Sequence, residues 1–148
     1  MTKSARNFFT TEHKLDIVQA IKNAELNTSG EIRVHIENTC KGDVMDRAAY
    51  LFEKLEMQKT KLRNGVLFYL AIKNRKFAIL GDAGINQVVP DDFWDVIRNK
   101  MLDHFLENRF ARGLIDGITM AGKQLKDHFP YQTDDVNELP DEISFGEK

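Results

Sequence analysis

One stretch, residues 63–86 (RNGVLFYLAIKNRKFAILGDAGIN), limits what this chain can fold into more than any other. Two apolar runs, residues 66–72 and 77–80, flank Lys73, Asn74 and Arg75, a short polar break that suits the turn of a β-hairpin. Each run meets a glycine-containing polar turn at its outer end, Arg63-Asn64-Gly65 before the first and Gly81-Asp82-Ala83-Gly84 after the second. A hairpin reverses the chain, so these outer turns lie side by side at one end of a sheet, with Asn64 near Asp82.

The segments before the hairpin supply the rest of the sheet. Leu15, Ile17, Val18, Ile21 and Ala24 recur at helical spacing behind Thr10 and Thr11, either of which can cap the first turn. Residues 31–37 then alternate, with Ile32, Val34 and Ile36 on one face and Glu31, Arg33, His35 and Glu37 on the other. That pattern predicts a strand with one polar face, at or near a sheet edge. Asp43 caps a second helix whose apolar stripe is Val44, Ala48, Leu51, Phe52 and Leu55. Strand, helix and strand make a βαβ unit, so the first two strands run parallel and the hairpin partner antiparallel.

Pro90, followed by Asp91 and Asp92, opens a third helix with Trp94, Ile97, Met101 and Phe105 on its buried side. A fourth helix carries Phe110, Leu114, Ile118, Ala121 and Leu125, and Gly113, Gly117 and Ala121 give it a smooth ridge for close helix packing. The fold class is therefore α/β: a mixed β-sheet with a βαβ unit and a hairpin, sandwiched between helices, with residues 66–72 as the central strand.

Composition narrows the function classes. A chain of 148 residues with 42% hydrophobic and 30% charged side chains makes one globular domain, read here as residues 1–129. Residues 130–148 hold six acidic groups and one lysine with little periodic apolar content, which predicts an acidic flexible tail on which Leu139, Ile143 and Phe145 dock only transiently. A net charge of −2 argues against a nucleic-acid surface. No apolar run approaches the ~18 residues of a membrane span, so no membrane insertion is expected. One cysteine and no apolar leader fit a cytoplasmic protein.

Parallel pairing brings the start of the first strand to the same edge as the two hairpin turns. Glu31, Asn64 and Asp82 converge there as oxygen donors from three turns, and Asp91 and Asp92 follow a few residues later. Hard cations such as Ca²⁺ and Mg²⁺ take such ligands, and the adjacent glycines let backbone carbonyls approach as well. The spacing is not that of an EF-hand, whose loop needs Gly at its sixth position and Glu at its twelfth.

The order of these motifs resembles the TPM domain family. The likeness rests on Ser29-Gly30-Glu31 opening a strand, Asn64-Gly65 before an apolar strand and Lys73-x-Arg75-Lys76 in the hairpin. It continues in Gly81-Asp82-x-Gly84, in Pro90-Asp91 opening a helix and in the pattern of Phe110, Gly113, Leu114, Gly117 and Ile118. The resemblance, over about residues 8–129, implies a mixed sheet between helices and a divalent-cation site. The matching acidic positions are Glu31, Asp82 and Asp91, with Asn64 and Asp92 in a looser part of the pattern. It also implies two functions: a binding or regulatory module with a protein partner that the sequence does not specify, or alternatively a metal-dependent acid phosphatase.

The residues themselves offer the phosphatase reading little. Cys40 is followed by six residues before Arg47, one too many for a thiolate phosphate loop, and no nucleotide-cradling glycine loop occurs. The four histidines show no metal-binding spacing and read as structural or surface groups, and Cys40 as a spectator. A competing site is the loop of residues 38–43, where the first strand ends, since ligands of α/β sheets often bind at strand ends.

Overall fold

The computed structural model describes residues 4–131 and 139–146. Thr10 caps α1 (Thr11–Glu25) by accepting the His13 amide, and Asp43 caps α2 (Val44–Lys54) by accepting those of Met45 and Asp46. Between them runs β1 (Glu31–Glu37). The hairpin strands are β2 (Gly65–Ala71) and β3 (Lys76–Gly81), joined by a turn in which Arg75 takes a left-handed φ of 52°. A single helical turn, α3 (Ala83–Asn86), precedes α4 (Phe93–Leu106) and α5 (Phe110–His128), and the last element is β4 (Ser144–Phe145).

The sheet order is β3-β2-β1-β4. β1 runs parallel to β2 with Glu31 opposite Gly65, and β3 is antiparallel to β2 with Gly81 opposite Val66. All seven residues of β2 are buried, as its apolar character on both faces requires. One sheet face, with Ile32, Val34, Val66 and Phe68, packs on α1, α4 and α5; the other, with Leu67, Tyr69 and Ala71, packs on α2.

The small residues of α5 are what let helices approach. A Cβ on Gly113 would stand 2.4 Å from the Phe105 ring, one on Gly117 2.6 Å from the Met101 sulfur, and one on Gly122 2.5 Å from Ala24 Cβ. The ridge expected from the sequence therefore packs α5 on α4 and on α1. No helix among the described residues is long and apolar enough to cross a membrane.

Three expectations change or sharpen. The third helix starts at Phe93 rather than Pro90, whose carbonyl accepts the Phe93 amide in the preceding turn. β1 lies next to the sheet edge rather than at it, because Ser144 and Phe145 pair parallel to His35 and Ile36 along its outer side. Of the stretch read as a flexible tail, residues 132–138 lie outside the described residues, while residues 139–146 return to the sheet. Leu139 is buried, and Ile143 and Phe145 pack against the main core. Three apolar anchors and one edge of backbone hydrogen bonds outweigh the acidic composition there.

Candidate functional site

Three turns meet at one sheet edge. The Glu31 amide donates to the Asn64 carbonyl (3.2 Å), the Asp82 amide to the Gly65 carbonyl (3.0 Å) and the Gly84 amide to the Arg63 carbonyl (2.9 Å). The glycines of the Gly-Asp-x-Gly motif answer to crowding. A Cβ on Gly84 would sit 2.2 Å from the Leu62 carbonyl oxygen, and one on Gly81 2.2 Å from the Trp94 ring. Trp94 is held there by its indole N–H, which donates to Asn86 Oδ1 at 2.8 Å. Backbone packing thus fixes how Asp82 is presented.

The side chains at this edge are differently engaged. Arg63, in a left-handed turn conformation, donates Nε to Asp82 Oδ2 and Nη2 to Oδ1, both at 2.8 Å. The Ala83 amide also donates to Oδ1, at 2.7 Å. Asn64 is only 1% exposed. Its amide donates to Thr60 Oγ1 (3.1 Å) and its Nδ2 to Ser29 Oγ (3.2 Å), yet its buried Oδ1 has no hydrogen-bond donor among the described residues. An unsatisfied buried acceptor costs about 1–3 kcal/mol, so this atom calls for a partner.

Glu31 is turned to another task, its buried Oε1 accepting the Leu139 amide at 2.8 Å. Asp91 and Asp92 are exposed, and Asp92 makes no side-chain capping bond to α4. Asp92 lines a groove of about 380 Å³ with Pro90, Met120 and Lys123, whereas Asp82 lines one of about 370 Å³ with Phe52, Glu53 and Arg63. The fold thus gathers the backbone at Glu31, Asn64 and Asp82, sends Glu31 toward the C-terminal segment, and opens Asp92 on a different groove from Asp82. Among the described residues no three His, Cys, Asp or Glu side chains form a group able to hold a metal ion.

A second polar assembly, which sequence reasoning missed, lies on the α2 face of β1 near the strand's C-terminal end. Glu37 accepts from the Tyr69 hydroxyl (2.6 Å) and from Arg47 Nε (2.8 Å) at Oε1, and from Arg47 Nη2 (2.6 Å) at Oε2. Burial alone would raise the Glu37 carboxyl, but the bonds from Arg47 and Tyr69 prevail and hold it below 4.5. Burial and then the Glu37 carboxylate push the Tyr69 hydroxyl well up.

His35, 4% exposed, shares a 2.6 Å hydrogen bond with Ser144 through Nδ1 and sits 3.7 Å from Glu37 Oε2 through Nε2. Burial lowers it to about 4, so it is neutral at pH 7. Of the two roles expected for His35, structural or surface, its burial leaves the structural one. The available signal was the polar row of residues 33, 35 and 37 facing a strand with a lone Tyr hydroxyl. In the competing loop Cys40 is buried, its Sγ 3.6 Å from the Gly42 carbonyl oxygen.

A sheet of this order with a βαβ unit, a hairpin and helices on both faces defines an α/β sandwich, and comparison with known proteins places it. The TPM domain family model matches residues 3–124, and the chain belongs to that family. It is 52% identical to the BA42 protein of the psychrophilic bacterium Bizionia argentinensis, whose NMR structure superposes with a TM-score of 0.88 over 94% of this chain and 96% of that one.

Two NMR structures share the fold at lower identity. One is the N-terminal domain of a P. gingivalis protein, 18% identical with a TM-score of 0.68 over 84% and 83% of the two chains. The other is that of the Corynebacterium glutamicum protein cg2496, 15% identical with a TM-score of 0.65 over 80% and 75%. No curated protein matches the chain.

Proposed function

We propose that this TPM domain is a binding or regulatory module that takes a divalent cation, Ca²⁺ or Mg²⁺, at the turn edge through Asp82 and Asn64. The observation that carries the reading is the buried Asn64 side-chain oxygen with no donor among the described residues, in a turn hydrogen-bonded to the Glu31 amide and next to Gly65, which holds the Asp82 amide. An oxygen-only donor set suits a hard cation. A site with a single protein carboxylate is weak and leaves most of the cation's coordination to water, as Mg²⁺ sites commonly do.

Arg63 supplies a positive charge to Asp82 when no cation does; more than half exposed, its side chain is free to swing aside. Glu31 belongs to the contact with Leu139 rather than to the cation, and Asp91 and Asp92 add negative charge at the start of α4 without being ligands.

The test is a titration of chelator-treated protein with CaCl₂ and MgCl₂, followed by melting temperature and by the NMR shifts of the Asn64 side-chain amide. Both should respond, and Asp82→Asn should remove both responses. An unchanged melting temperature with an unshifted Asn64 amide, in millimolar amounts of either cation, would overturn the proposal. Phosphomonoester hydrolysis is the weaker reading. The Ser29 and Thr60 hydroxyls at this edge are tied to Asn64 rather than to a base, and Cys40 is buried in the loop after β1.

A further inference from the structure

Residues 139–146 are attached to the domain by few backbone bonds and by an unusual set of side-chain contacts. β4 has only two residues, and Gly146 adds one bond from its amide to the Ile36 carbonyl (2.8 Å). A two-residue strand has little stability of its own. The rest of the attachment comes from Leu139, whose side chain is buried and whose amide rests on Glu31, from Ile143, which packs on the main core, and from Phe145, which lies beneath Arg6 (5.1 Å) and Lys14 (5.6 Å). The segment lies beyond the residues 3–124 that match the family model.

What this segment covers is polar. Ser144 closes on His35, and Gly146 lies so near Glu37 that a Cβ there would be 2.9 Å from Oε2. Farther along, Asp141 hydrogen-bonds Glu25 at the end of α1, two carboxyl groups in one place. Such a pair holds together only when a proton lies between the two, because two ionised carboxylates repel.

We propose that residues 139–146 are a detachable strap over the outer edge and polar face of β1, and that closing it takes up a proton between Glu25 and Asp141. The charged groups facing Glu25 are Asp141 from the strap and Glu31 from β1, both acidic, while the Ile32 amide donates to its Oε2 at 2.9 Å. Burial first, and then Asp141, raise the Glu25 carboxyl from 4.5 to about 9. His35 is faced by Glu37 and Arg33 on its own strand, Arg47 from α2, the stacked Tyr69 ring from β2 and Ser144 from the strap.

The closed strap keeps His35 neutral, so protonating it in acid favours opening. Between 4.5 and 6.5 the two effects oppose each other, since closing gains a proton at Glu25 and excludes one from His35. Above 6.5 only the Glu25 site acts, and closure weakens as pH rises through about 9. The strap is thus shut in mildly acidic conditions and loosens in alkaline ones, uncovering a strand edge and the His35–Glu37 cluster together.

Amide hydrogen exchange, corrected for the intrinsic pH dependence of exchange, tests this on the full chain. Protection of amides in residues 139–146 should fall about tenfold per pH unit above 6.5, as one coupled proton requires, while β2 amides keep their protection. Glu25→Gln retains an oxygen for the Ile32 amide and offers Asp141 an N–H, so its strap protection should not vary with pH. Asp141→Asn should behave in the same way and serves if the first variant does not fold. Strap protection that ignores pH in the parent chain, the same slope in both variants, or a parallel loss in β2 would each overturn the proposal.

Discussion

Arg63 and Asp82 meet in a two-point ion pair across the turn edge, each guanidinium nitrogen 2.8 Å from its own carboxylate oxygen. The Asp82 side chain is 5% exposed and that of Arg63 53%, so the acid is fixed and the base is the movable partner. An arginine in this position competes with any cation for the same carboxylate. An ion pair with one solvent-exposed member is weak, because water screens it. Removing it should therefore tighten cation binding only modestly. Arg63→Ala should bind Ca²⁺ or Mg²⁺ about threefold more tightly by calorimetric titration. Weaker binding in that variant would mean that Arg63 helps to build the site.

Glu37 sets a second expectation. Its carboxylate neutralises Arg47 and accepts the Tyr69 hydroxyl in a buried setting. Glu37→Ala leaves the buried Tyr69 hydroxyl without its acceptor and the partly exposed Arg47 without its carboxylate, and should cost more than Tyr69→Phe in urea unfolding. Tyr69→Phe removes one bond to a charged group and should cost about 1.5–3 kcal/mol. The ordering of the two is the discriminating result, because a cluster held by packing alone would make the loss of the Tyr69 hydroxyl nearly neutral.

The Gly-Asp-x-Gly turn carries a third. The group nearest a Cβ at Gly84 is backbone, the Leu62 carbonyl oxygen, with the Arg63 carbonyl oxygen next at 2.6 Å. Backbone cannot step aside as a side-chain tip can. Gly84→Ala should destabilise by about 1–3 kcal/mol and displace Asp82 from Arg63, seen as a shift of the Arg63 Nε resonance. A variant as stable as the parent would show that the turn is more pliable than its packing implies.

The convergence of Asn64 with Asp82 was legible because it follows from chain reversal alone. A polar break between two apolar runs fixes the hairpin, and the hairpin fixes the edge. The Arg63–Asp82 pair was not legible, since it depends on the left-handed φ of 52° at Arg63, which aims its side chain. The alternation of β1 predicts a strand at or near an edge because alternation normally means that water wets one face. Here Arg47 and Tyr69 hold Glu37 and Ser144 holds His35, and the three come from separate elements. β4 escaped notice because two residues have no period to detect, and six acidic neighbours dominate the composition around them.

The pH dependence of overall stability brings these groups together. A carboxyl raised from 4.5 to about 9, as Glu25 is, contributes stability that is complete below 4.5 and lost as pH climbs through 9. His35, lowered from 6.5 to about 4, contributes stability that is present above 6.5 and lost as pH falls through 4. Glu37, held below 4.5, adds to the loss in acid. Stability should accordingly be nearly constant between 4.5 and 6.5, fall below 4.5, and decline by about 1–2 kcal/mol from pH 6.5 to pH 8. In Glu25→Gln the alkaline decline should vanish, leaving the variant more stable than the parent at pH 8 and little changed at pH 5. Urea unfolding at those two values decides it: a variant equally destabilised at both has lost packing rather than a proton-linked contact.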